Sequence, residues 1–169
     1  MPTLLLASGN LGKLEEFKAL LAGIPVELVT PQALDLHPRV TEDGHTYAEN
    51  ASKKALAYAQ AAGLPALADD TGLEVDVLNG EPGLFSARYA PKKGASDADR
   101  RQFLLERLSE HPRPWVARFR CVVAIALDDE RAHLTEGVCT GEIIPEERGE
   151  HGFGYDRIFY FPDLGKTMA

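Results

Sequence analysis

Thr3-Leu4-Leu5-Leu6-Ala7-Ser8-Gly9-Asn10-Leu11-Gly12-Lys13 is the stretch on which the fold turns. Thr3 to Ala7 is a short apolar run stopped by Ser8-Gly9-Asn10, the pattern of a buried strand and its end. From Gly12 to Ala22 the residues sort by face: Leu14, Phe17, Leu20 and Leu21 on one side, Glu15, Glu16 and Lys18 on the other. That spacing predicts a surface helix, ended by Gly23 and Pro25. A strand that runs directly into a helix opens an α/β arrangement.

Outward from this unit, Val26 to Val29 reads as a second strand, and 30–44, polar and with two prolines, as a long loop. Thr46-Tyr47-Ala48-Glu49 has the spacing of a capping box, so a helix starts there and runs to Ala62, before Gly63 and Pro65. Ala66-Leu67-Ala68 is a short buried strand entering a turn at Asp69-Asp70-Thr71-Gly72. Leu73 to Leu78 then alternates apolar and polar residues as a half-exposed strand does. Ser96-Asp97-Ala98-Asp99 starts another helix through Phe103, Leu104 and Leu108. Trp115 to Leu127 and His133 to Ile144 flank Asp128-Asp129-Glu130-Arg131 as a long hairpin, and Phe153 to Phe161 is an aromatic, partly extended tail. Helices and strands alternate through both crossovers and hairpins, which predicts a mixed α/β fold.

The 169 residues carry 18 Lys and Arg against 26 Asp and Glu, a net charge of 18 − 26 = −8. An acidic surface repels phosphate backbones, so neither nucleic acid nor an anionic membrane is an expected partner. A small anion still binds if cations gather in one pocket. Cys121 and Cys139 are too few for a disulfide scaffold and read as buried free thiols in a reducing compartment. No apolar stretch approaches a membrane span and no basic leader precedes Thr3, so the expected location is the cytoplasm.

Four segments can carry chemistry. Ser8-Gly9-Asn10 with Lys13, between strand and helix, fits a phosphate site built from amides, hydroxyl and amine, or simply a turn in which Asn10 caps the helix and Lys13 is solvated. Asn50 and Lys54, four apart, share a helix face. Of Asp69 and Asp70, adjacent on a strand and therefore on opposite faces, one can hold Mg²⁺ or act as a base toward water while the other serves the turn. Glu42 in the preceding loop is a possible second metal ligand. Gly152-Phe153-Gly154-Tyr155-Asp156 can stack a nucleobase on Phe153 and accept hydrogen bonds at Asp156, or can be a glycine-bordered turn whose aromatics enter the core. The histidines show no metal-ligand spacing, and Arg88 suits either a phosphate or a salt bridge.

In this order, and with Glu49-Asn50-Ala51, Lys54-Ala55, Ala68-Asp69-Asp70-Thr71-Gly72-Leu73, Gly80-Glu81-Pro82-Gly83 and Ser86-Ala87-Arg88-Tyr89 between them, the segments cover nearly the whole chain. Together they resemble the non-canonical purine nucleoside triphosphate pyrophosphatases, the inosine and xanthosine triphosphate pyrophosphatase family. The resemblance implies one nucleotide pyrophosphatase domain over 1–169, without a linker. Its elongated mixed β-sheet with flanking helices would form two lobes around a central active-site cleft, usually in a homodimer. It implies Mg²⁺-dependent hydrolysis of ITP, dITP and XTP to the monophosphate and pyrophosphate, which cleans the nucleotide pool.

On this resemblance Ser8, Gly9, Asn10, Lys13 and Lys54 hold the phosphates, and Asp70 accepts a proton and binds metal with Glu42. Thr71 lies beside the substrate, and Phe153, Gly154, Tyr155 and Asp156 contact the base. Two departures stand out. The family normally continues past Lys166-Thr167-Met168-Ala169 into a helix, a lysine and a Ser-His-Arg motif that helps read the purine, a segment expected to be absent here. Arg157 stands where the family usually has proline. A related house-cleaning enzyme for pyrimidine or methylated nucleotides, or a nucleotide-binding module without turnover, are the alternatives.

Overall fold

The computed structural model describes residues 1–128 and 130–169. Along the chain it places β1 (Thr3–Leu6), α1 (Leu11–Leu20), β2 (Glu27–Val29), α2 (Tyr47–Ala62), β3 (Ala66–Val75), β4 (Pro82–Gly83) and α3 (Asp97–Leu108). β5 (Trp115–Ala126), β6 (Ala132–Ile143), β7 (Phe159–Phe161) and β8 (Lys166–Thr167) complete it. The strands hydrogen-bond in the order β2-β1-β3-β5-β6-β7-β8, with β4 on β3. The mixed α/β class is borne out. The chain divides into two compact units, Met1–Asp70 with Cys121–Glu136, and Thr71–Arg120 with Gly137–Ala169. β3, β5 and β6 contribute residues to both.

In the first unit β1 pairs in parallel with β2, Thr3 opposite Glu27, and with β3, Leu5 opposite Ala66. Parallel neighbours need crossover connections, which α1 and α2 supply. Leu5, Leu6, Ala7, Ala66, Leu67 and Ala68 are all buried, which explains their unbroken apolar runs. α2 begins where the sequence says: the Thr46 hydroxyl accepts the Glu49 N–H at 3.1 Å, and Gly63, at φ 62°, closes the helix. The reciprocal bond is displaced by one residue, since Glu49 accepts from the His45 N–H at 2.7 Å. Ala51, Ala55 and Ala59, four apart, are buried, and these small side chains suit the close contact of α2 with β1.

Two expectations for this unit need correction. The apolar face of α1 is no core face: none of its residues is fully buried, Leu14 and Phe17 are half-buried and Leu20 is exposed. The turn expected at Asp69-Asp70-Thr71-Gly72 does not form. Ala66 to Val75 is one ten-residue strand, and the residues after it, Asp76–Leu78, form a 3₁₀ turn rather than more strand. The predicted hairpin strands correspond to β5 and β6, neighbours in the sheet, although residue 129 of the turn lies outside the described residues.

The second unit is antiparallel where its pairings are defined: Leu73 opposite Gly83 on β3 and β4, Ile143 opposite Phe159 on β6 and β7. Its core gathers Leu73, Val75, Leu104, Leu108, Trp115 and Phe159. The Ser96 box on α3 is complete, each of Ser96 and Asp99 accepting the other's backbone N–H, at 2.8 Å for the Ser96 N–H and 3.1 Å for that of Asp99. Only the end of the predicted extended tail, Phe159–Phe161, is strand, because 154–158 is a run of turns.

Candidate active site

Local chemistry fixes the first cluster, which lies in the first unit. Because β3 continues through Asp69 and Asp70, their side chains leave on opposite sides of the strand. Asp69, 4% exposed, accepts a charged hydrogen bond from Lys13 Nζ of α1 at 2.5 Å. Asp70, 8% exposed, accepts from Asn50 Nδ2 of α2 at 2.9 Å. The amide orientation of Asn50 is set from its other end, where Oδ1 accepts the Gly44 N–H at 2.8 Å. Gly44 allows this by close approach: a Cβ there would sit 2.6 Å from that same Oδ1. Lys54, one turn beyond Asn50, pairs with Glu42 at 2.9 Å, and Lys53 with Asp43 at 2.7 Å.

These groups interact electrostatically. Burial pushes the Asp70 carboxyl above the usual carboxylate range, against the Asn50 hydrogen bond and the positive charge of Lys54. The charge of Glu42 adds to the rise and that of Lys13 opposes it. Glu42, Asn50, Lys54, Lys13 and Asp70 therefore act on one another, although they come from a loop, two helices and a strand. In the Ser8 to Lys13 segment the cap expected of a turn forms, but its lysine is not solvated. Asn10 caps α1, its Oδ1 accepting from the Gly12 N–H at 2.8 Å, while Lys13 reaches Asp69 instead of solvent. Ser8 Oγ accepts the Asn10 N–H at 3.2 Å. Packing does not demand glycine at position 9, where a Cβ would only touch Gln32 at 3.7 Å.

The donor set fits Mg²⁺. Among the described residues no three His, Cys, Asp or Glu side chains gather as a metal group. Mg²⁺ commonly takes one or two carboxylates and completes its shell with water and substrate phosphates, which suits Glu42 and Asp70. Two interacting carboxylates, one raised by burial, also present negative charge that a cation would relieve.

The second cluster lies in the second unit, around 152–156. Thr71, the first residue of that unit, follows Asp70 directly on β3. Asp156 turns back on its own loop and accepts the Phe153 N–H at 2.9 Å. A Cβ on Gly152, whose φ is 72°, would collide with that carboxylate, so both its angle and its space call for glycine. Burial raises the Asp156 carboxyl above its ordinary range, partly offset by the Phe153 N–H. Tyr155 is in the core, and its hydroxyl donates to the Ser86 carbonyl at 2.8 Å. Phe153 is half-buried. Gly154 is held through its peptide, the N–H donating to Asp97 at 2.7 Å and the carbonyl accepting from Arg101 at 2.8 Å.

Sequence reasoning missed Asp97, Arg101 and Glu147. Asp97 and Arg101 stand four apart on α3, a spacing that puts them on one helix face, yet an arginine on a charged helix reads as solvated. Arg101 is instead buried. Arg88 is exposed and lies over the Phe85 ring at 5.0 Å. Cys121 and Cys139 are half-buried rather than core.

The sequence pattern of the Ham1 family matches residues 4–169. The chain is 47% identical over 166 residues to a dITP/XTP pyrophosphatase of Thermus thermophilus, covering 97% of this chain and 78% of that protein. It is 46% identical over 168 residues to the dITP/XTP pyrophosphatase of Desulforamulus reducens, covering 98% of this chain and 83% of that one. Among solved structures, a HAM1 protein from Coxiella burnetii is similar at TM-score 0.88 and 42% identity, over 100% of this chain and 86% of that one.

Proposed function

The chain belongs to the Ham1 family, and from that premise we propose that it is a pyrophosphatase for non-canonical purine nucleoside triphosphates. It hydrolyses dITP, XTP and ITP to the monophosphate and pyrophosphate and so removes deaminated purines from the nucleotide pool. Relatives named for dITP and XTP, matching nearly the full chain, favour a purine substrate over a pyrimidine or methylated one.

The observation that carries the mechanism is Asp70, buried on β3 with a raised carboxyl, under the influence of Lys13, Lys54 and Glu42. Lys13 and Lys54 hold the phosphates, exchanging part of their pairing with Asp69 and Glu42 for phosphate oxygens, with Ser8, Gly9 and Asn10 lining the approach. Asp70 accepts the proton of the attacking water. Attack on the α-phosphorus breaks the α–β linkage, and pyrophosphate leaves. Glu42 and Asp70 would hold Mg²⁺, which would supply charge neutralisation for the phosphates. Asn50 fixes the direction of the Asp70 carboxylate, and Thr71 lies next to the substrate. Phe153, Gly154, Tyr155 and Asp156 form the base end, Phe153 by stacking. A homodimer in the cytoplasm belongs to the same reading; among the described residues no helix is long and apolar enough to cross a membrane.

The test is a pyrophosphate-release screen over ITP, XTP, dITP, ATP and GTP with and without Mg²⁺. The expected result is release from the first three, dependent on the metal. Tight ITP binding with no release would leave a binding module instead.

A further inference from the structure

We propose that Asp97, Arg101 and Glu147 form a clamp that positions the 152–156 loop and thereby sets base discrimination. This rests on the assignment of that loop to the base. The Gly154 peptide is gripped from both ends by one turn of α3: Asp97 accepts its N–H at 2.7 Å, and Arg101 Nη1 donates to its carbonyl at 2.8 Å. Arg101 is itself fixed by a two-pronged contact, Nε to Glu147 Oε1 at 2.7 Å and Nη2 to Oε2 at 3.1 Å. Asp97 also pairs with Arg100, and Arg157 approaches the same Glu147 carboxylate at 3.7 Å. Arg157, the residue that departs from the family pattern, thus adds a third cation to the group.

Burying a guanidinium is costly unless its donors are satisfied and its geometry is fixed. Arg101, 7% exposed, meets both conditions, and it adds a hold at Gly154 to a loop that Tyr155 ties to the core. Gly152 and Gly154 both sit at positive φ, at 72° and 60°, where glycine offers many other conformations. Both carboxylates of the clamp are ionised at neutral pH. Burial raises Asp97, but the Gly154 N–H and Arg100 hold it below the usual range. Arg101 holds Glu147 low, its hydrogen bonds outweighing partial burial. Gly154 is then an anchor whose peptide serves α3, and Phe153 and Asp156 on either side of it are the groups held in place. Displacing such a surface by about 1 Å can cost on the order of a hundredfold in rate, so Asp97, Arg101 and Glu147 are positioning residues.

The experiment compares kcat/KM for dITP and dATP, inhibition by inorganic tripolyphosphate, and melting temperature in the full chain. Arg101→Met is expected to lower kcat/KM for dITP by about tenfold, mostly through KM, and to shrink the dITP-to-dATP ratio. Tripolyphosphate inhibition should stay within about twofold, because the phosphate groups belong to other residues. Arg101→Lys keeps the charge but loses the fork, and should recover part of the ratio. Glu147→Gln, more exposed, serves if Arg101→Met does not fold, with the same pattern at about threefold. An unchanged ratio in a folded Arg101 or Glu147 variant overturns the clamp. So does a loss shared equally by tripolyphosphate, which would mean general loosening. Phe153→Ala separates the two layers. If it leaves the ratio intact, the loop does not read the base and the proposal falls with that assignment. If it collapses the ratio while the clamp variants do not, the clamp alone falls.

Discussion

The polar groups of the first unit and those of the second are wired differently. Around Asp70, Lys13 pairs with Asp69 and Lys54 with Glu42, while Asn50 links the Gly44 N–H to Asp70. Around Gly154 the bonds run on from one group to the next, Asp97 to Gly154 to Arg101 to Glu147, with Asp156 closing the loop on Phe153. Pairs can be traded singly for the oxygens of a polyphosphate. A connected chain cannot give up one member without loosening the rest. The first arrangement suits a site that exchanges partners during a reaction, the second a surface that must keep its shape.

Asp70→Asn gives the largest expected effect on this contrast. Loss of the base should cut kcat by roughly 10²–10⁴ while nucleotide binding persists. Equilibrium binding with single-turnover kinetics checks this, and a variant keeping a tenth of the rate would break the assignment. Next, Lys54→Met and Lys13→Met should each lower kcat/KM by about ten- to a hundredfold and weaken tripolyphosphate inhibition in parallel, since a charged hydrogen bond is lost. Lys13→Met should also reduce stability by roughly 1–3 kcal/mol, because Asp69 is more buried than Glu42. Chemical denaturation would compare the two.

Smaller again are Gly44→Ala, which pushes against the Asn50 amide, and Gly152→Ala, which pushes against Asp156 from a left-handed backbone. Each is expected to cost about 1–3 kcal/mol, the first lowering kcat and the second disturbing base preference. The smallest effect is on acid stability. Glu147 and Asp97 have folded pKa values below their unfolded ones. Their contribution is complete above the unfolded carboxylate range near pH 4 and is lost as pH falls through the lowered folded values. Glu147→Gln should therefore flatten the acid limb of the stability curve, by less than about 1 kcal/mol since the carboxylate is partly solvated. Unfolding midpoints between pH 2 and 6 measure it.

Much of this was legible in the residues because the signals were local. Thr46 and Ser96 cap their helices where the spacing said they would, and the buried runs of β1 and of Ala66 to Ala68 needed no partner to be recognised. The failures share a cause. Asp69-Asp70-Thr71-Gly72 resembles a turn, yet it is strand. The partners that hold these aspartates are Lys13, 56 residues away from Asp69, and Asn50, 20 away from Asp70, and no window of sequence contains them. The apolar stripe of α1 is real as a pattern but is not buried to match. Arg101 was invisible because its role depends on Gly154, 53 residues distant. In the candidate site the residue types were readable and their pairing was not.

The carboxyl at position 70 carries a further consequence. A negative charge kept inside β3, where burial disfavours it, strains the folded state at neutral pH. With Asp70 as the base proposed above, catalytic fitness and heat tolerance pull this strand in opposite directions.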